Sequence, residues 1–88
     1  MTDPAGYSIR IMASAERDMK SLPSGAFRRI GDAILALKSA PRPKTCKRLR
    51  GREGYRIRVG NYRILYLVND ASRIIEVVAV GHRKDVYR

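Results

Sequence analysis

An α+β fold, with a helical hairpin set against a small antiparallel sheet in the order β-α-α-β-β-β, is what this sequence predicts. Three observations carry that reading. The hydrophobic period changes near residue 13 from the alternation of a strand to the three-and-four spacing of a helix. Pro41 and Pro43 close the helical part. Three β-branched and aromatic segments, separated by turn sequences, fill most of what remains. Eighty-eight residues suffice for one domain with one core, spanning 1–88, and are too few for two.

Residues 7–12 alternate, with Tyr7, Ile9 and Ile11 on one side and Ser8, Arg10 and Met12 on the other, the period of a half-buried strand. Ser14 is suited to cap a short helix running through Leu22, which Pro23 interrupts. Phe27, Ile30, Ile34 and Leu37 then form the stripe of an amphipathic helix reaching about Lys38. A basic connector follows. Segments 55–59, 62–68 and 74–80 read as strands, joined at Gly60-Asn61 and at Asn69-Asp70-Ala71-Ser72 by turn chemistry. Such spacing predicts an antiparallel meander with the helices packed on one face.

Nineteen Lys and Arg against eight Asp and Glu give a formal net charge of +11 at pH 7. The pI near 10.7 exceeds what solubility requires. A polyanionic partner is implied, with nucleic acid first, an acidic protein second and an anionic membrane third. No apolar run approaches a spanning length and no signal-peptide pattern opens the sequence, so no membrane partner and a cytoplasmic location are expected. Cys46 is the only cysteine, which excludes an intrachain disulfide and fits a reducing compartment. The acids are scattered, with no two-metal cluster and no Cys/His zinc set, so neither a metal nor a cofactor is expected.

The charge is concentrated. Residues 42–63 hold nine cations and one acid, Glu53, for a net +8. Lys47, Arg48 and Arg50 lie in the connector. In the strand 55–59 the pleat sends Tyr55, Ile57 and Val59 to the core and Arg56 and Arg58 to the opposite face. Hairpin pairing brings Arg63 beside Arg58 or Arg56, and like charges in such positions oppose folding unless an anion sits between them. If the last strand pairs with 62–68, the meander returns Arg83 and Tyr87 toward the same face, while His82 alternates to the side opposite Arg83.

Tyr-Arg-Ile-Arg-Val at 55–59, Asn-Tyr-Arg-Ile-Leu-Tyr at 61–66 and Val-Gly-His-Arg-Lys-Asp-Val-Tyr at 80–87 resemble the RelE branch of the RelE/ParE toxin superfamily, as do the helical hairpin and Lys47-Arg48-Leu49-Arg50-Gly51. The resemblance runs from about Tyr7 to Tyr87. It implies a ribosome-dependent endonuclease that enters the vacant A site and cleaves messenger RNA there without a metal. It also implies three partners: the ribosome, the messenger and a cognate RelB-like antitoxin. By the same resemblance, Arg63 and Arg83 match phosphate-binding arginines and Tyr87 matches the active-site tyrosine. Arg56 and Arg58 match a pair that is Lys-x-Lys in some members. That departure matters, because lysine can release its proton and a guanidinium effectively cannot. Family members often carry a further helix after the tyrosine, and with Tyr87 one residue from Arg88 the expectation is a toxin lacking it.

RNA supplies its own nucleophile, the 2′-hydroxyl, so the protein must contribute a base, an acid and positive charge. Arg63 and Arg83 suit the transition-state charge, with Arg56 and Arg58 positioning RNA or serving the leaving group. Tyr87 is the preferred base, since one cation about 5 Å away at an effective dielectric near 20 favours the phenolate by roughly 3 kcal/mol. Tyr87 is otherwise a stacking platform for a base. His82, the one side chain that ordinarily titrates near neutrality, is the rival base. Two other functions compete: a ParE-like inhibitor of DNA gyrase without ribonuclease activity, and a basic nucleic-acid-binding module without catalysis.

Overall fold

The alternating segments become strands and the two periodic ones helices in the computed structural model, which describes residues 6–82. The order is β1 (Ser8–Ile11), α1 (Ala13–Lys20), α2 (Ser24–Ala36), β2 (Lys47–Arg48), β3 (Tyr55–Val59), β4 (Tyr62–Asn69) and β5 (Ile74–His82). This is the α+β class the sequence predicts, with its helical hairpin and its β3-β4-β5 meander. The sheet itself has five strands in the order β1-β5-β4-β3-β2. It is antiparallel from β2 through β5 but mixed overall, because β1 pairs parallel with β5. The hairpin turns read from sequence join only neighbouring strands, and the long αα connection leaves β1 free to enter in either direction.

The core lies between the helices and one face of the sheet. Ala15 and Met19 of α1, Ile30 and Ile34 of α2 and Leu37 just beyond it pack with Ile57, Ile64, Tyr66, Ile75, Val77 and Val80. Phe27 departs from the expected stripe: it is 48% exposed, and the buried row on α2 runs through Ala26, Ile30 and Ile34. The 3.6-residue repeat spreads 26, 30, 34 and 37 over an arc of about 80° and puts 27 just beyond its edge, about 65° from the centre of the row. Phe27, Gly31 and Leu35 instead line a shallow surface groove with Met19 and Leu22.

Ser14 is not the cap of α1. The N-cap is Met12, and Ser14 Oγ donates to the Val78 carbonyl at 2.6 Å. The reason lies in β5. Its pairing with β1 ends at Ile11 and Val77, and its register with β4 shifts between Leu65 and Tyr66, which opposes Ala79 to Leu65 and Val77 to Tyr66. Backbone groups beyond that point lack a strand partner on one side. Helix α1 supplies them: Ser14 satisfies Val78, and Asp18 Oδ2 accepts from the Val80 N–H at 3.0 Å.

Two glycines make turns that other residues would strain. Gly60 has φ 59° between paired Val59 and Tyr62, the pattern of a type II′ hairpin. Gly54 has φ 121°, and a Cβ there would lie 3.0 Å from the Tyr66 carbonyl oxygen. Among the described residues, no helix is long and apolar enough to cross a membrane.

Asp18→Ala removes the acceptor for a half-buried backbone N–H, and a loss of about 1–3 kcal/mol is expected. Urea unfolding monitored by tyrosine fluorescence measures it, with Asp18→Asn, which keeps an acceptor oxygen, expected to lose less.

Candidate functional site

The β3–β4 hairpin pairs Tyr55 with Tyr66, Ile57 with Ile64 and Arg58 with Arg63. Since side chains alternate, Ile57 and Ile64 enter the core and Arg58 and Arg63 stand directly opposite one another on the other face. Arg56 is two residues from Arg58 on the same side, and its cross-strand partner on β2 is Lys47. Together with Thr45 these four cations line one cavity of about 350 Å³, and among the described residues no acidic side chain lines it. Leu65, also on this face, is 1% exposed between Arg63 along β4 and Arg56 across from it. Gly81 of β5 pairs with Arg63 and adds no side chain there.

Arg48 and Arg50 lie outside that cavity. They line an adjoining groove of about 540 Å³ with Lys47, Leu49, Arg52 and Arg56, so Lys47 and Arg56 are common to both. His82 belongs to the other face: it pairs with Tyr62, and the two rings meet edge-on at 6.1 Å. Arg83 and Tyr87 lie outside the described residues. The structure therefore brings together Lys47, Arg56, Arg58 and Arg63, places Arg48 and Arg50 beside them, and separates His82 from them.

Thr45 escaped the sequence reading, since a lone threonine in a basic connector has no periodic signal. Arg42 was read only as part of the charge run, yet it has a structural task. Its guanidinium grips the Asp70 carboxylate at 2.8 and 3.2 Å and donates from Nε to Tyr55 Oη at 2.9 Å. Tyr7 Oη donates to the same carboxylate at 2.6 Å. The hydrogen bonds from Arg42, and then from Tyr7, hold the Asp70 carboxyl at about 2, below the 3.8 of a free aspartate. The partnership in turn raises the Tyr7 phenol and the Arg42 guanidinium above their ordinary values. Tyr66 Oη donates to the Pro41 carbonyl at 2.8 Å. Burial, with Cys46 beside it, pushes this phenol above its usual range, so it acts as a strut and holds its proton. Arg42 and Tyr66 thus tie down the start of the segment that carries Thr45 and Lys47 to the cavity.

This fold and site define a class. Residues 9–87 match the family described as the ParE toxin of type II toxin-antitoxin system, parDE, and the chain belongs to that family. Within it the protein is a toxin of the RelE type. It is 33% identical over 86 residues to the RelE1 protein of Methanocaldococcus jannaschii, covering 93% of this chain and 96% of that one. In the toxin-antitoxin complex RelBE2 of Mycobacterium tuberculosis it superimposes with a TM-score of 0.80 at 28% identity, over 89% of this chain and 99% of the other. The archaeal RelE-RelB complex of Pyrococcus horikoshii gives 0.76 at 26% identity, over 98% of this chain and 100% of that one.

Because the Asp70 carboxyl is lowered in the folded state, its contribution to stability is full above about pH 4 and is lost as pH falls toward about 2. Asp70→Asn should therefore show a stability deficit that is constant from pH 7 to 5 and shrinks as pH falls from about 4 through about 2. Urea titrations of both proteins across that range test it, and a deficit unchanged at pH 2 would contradict the assignment.

Proposed function

We propose that this toxin is an endoribonuclease that cuts messenger RNA in the ribosomal A site through attack of the 2′-hydroxyl, and that a cognate RelB-like antitoxin holds it inactive. One observation carries the reading: Arg58 and Arg63 face each other across two strands in a cavity that Arg56 and Lys47 complete. Cations are not held side by side for stability, whereas a phosphate between them converts repulsion into bidentate hydrogen bonding. Among the described residues the cavity lining is cationic, which suits an anionic substrate for the same reason.

In the proposed reaction the 2′ oxygen attacks the adjacent phosphorus in line, the bond from phosphorus to the 5′ oxygen breaks, and a 2′,3′-cyclic phosphate and a 5′-hydroxyl result. Arg63, with Arg83, stabilises the charge that builds on the non-bridging oxygens. Arg56 and Arg58 hold the strand on either side. Tyr87, as phenolate, takes the proton of the 2′-hydroxyl, and guanidinium groups beside it would make that base available near neutrality. The position of His82 beside Tyr62 on the helical face favours Tyr87 over it for this task. Arg48 and Arg50 in the adjoining groove would bind flanking phosphates of messenger or ribosomal RNA. The RelB chains present in the complexes of the similar proteins support the antitoxin as the partner.

Primer extension on messenger translated in a reconstituted system tests this. New 5′ ends within codons are expected with the wild type. Cleavage should fall roughly 100-fold or more with Arg63→Ala, the scale of losing one transition-state donor, and more with Tyr87→Phe than with His82→Ala. No new ends would exclude the nuclease. The matching family is described as ParE, so gyrase-dependent DNA breaks in a parallel assay would assign the chain to gyrase inhibition instead.

A further inference from the structure

The proposed reaction needs a proton for the departing 5′ oxygen, and the two strand arginines nearest the phosphate cannot release one. Among the described residues, the side chains lining the cavity are Thr45, Lys47, Arg56, Arg58 and Arg63. Three are guanidinium groups. A threonine hydroxyl is no stronger an acid than the alcohol it would protonate. Only Lys47 combines a positive charge with a proton that an alkoxide can take.

Its place in the fold suits that task. Lys47 occupies the first position of β2 and pairs with Arg56, so it stands over the same face as Arg58 and Arg63. It also lines the adjoining cationic groove, and a strand passing from groove to cavity crosses it. The backbone beneath it is held at both ends: Cys46 N–H donates to the Pro43 carbonyl at 2.9 Å, and Leu49 N–H donates to the Gly54 carbonyl at 3.0 Å. His82 lies on the other side of the sheet, with its ring against Tyr62.

We propose that Lys47 is the general acid of this site, a role that rests on the nuclease reading. As the bond from phosphorus to the 5′ oxygen breaks, the ammonium of Lys47 passes one proton to that oxygen, and the neutral amine regains it from water after the products separate. The 2′-hydroxyl proton goes to the base on the other side, which releases it to water once the products leave, so the protein returns to its starting protonation state. Arg56 and Arg58 keep their protons throughout and serve as fixed charge.

The test uses the full chain on programmed ribosomes, with messenger carrying either the natural linkage or a 5′-bridging sulfur at the scissile position, which departs as a thiolate without protonation. Lys47→Ala and Lys47→Arg are both expected to cut the natural linkage about 100-fold or more slowly, the usual contribution of a positioned acid. Both should cut the sulfur linkage within a few-fold of the wild type. Lys47→Arg keeps the charge and the edge position, so its defect on oxygen alone reports the proton. Wild-type activity of Lys47→Arg on the natural linkage would overturn the role, as would failure of sulfur to restore either variant. If the wild type cuts neither messenger, the nuclease reading itself fails and takes this role with it.

Discussion

Register between β3 and β4 governs everything else on this molecule. Gly60 and Asn61 close a two-residue hairpin that pairs Val59 with Tyr62, and from that pair each later opposition follows. A one-residue slip of β3 would turn Ile57 to solvent and drive Arg56 and Arg58 into the core, and a slip of β4 would do the same with Ile64, Tyr66 and Arg63. Each large apolar side chain returned to water costs about 1.5–3 kcal/mol, and a buried unpaired guanidinium costs more. The like-charge opposition of Arg58 and Arg63 is small by comparison, on the scale of about 0.2–1 kcal/mol for cross-strand pairs. The core therefore imposes the arginine cluster on the outer face, and no anion is needed to assemble it.

A second constraint acts at the edges. Strand β5 outlasts its partner β1, and α1 takes over through Ser14 and Asp18, which fixes the helical hairpin against the sheet while leaving the outer face open. At the opposite edge β2 is only two residues long, so its position depends on what holds the connector. Asp70 does so from a distance in sequence, gathering Arg42 and Tyr7 on one carboxylate, while Tyr66 reaches from the core to Pro41. Asp70 thus serves the scaffold away from the cavity, whose described lining carries no acid.

Much of this was legible in the chain because it depends on local period. Alternation in 55–59 and 62–68 assigned faces to Arg56, Arg58 and Arg63, and turn residues placed the hairpin that joins them. Misreadings occurred where a residue has two uses. Ser14 has the chemistry of a cap and serves as a donor to β5, a bond to a residue 64 positions away that no local pattern announces. Phe27 fits a helical stripe by spacing but sits one residue off the buried row of Ala26, Ile30 and Ile34.

The sequence by itself determined the fold class, the polarity of the two sheet faces and the family, since these follow from patterns and motifs read within a few residues of each other. Tertiary structure alone decided the parallel entry of β1, the Asp70 clasp and the arrival of Lys47 beside Arg56. Each of these depends on contacts between segments far apart in the chain, where the direction of approach is set by packing.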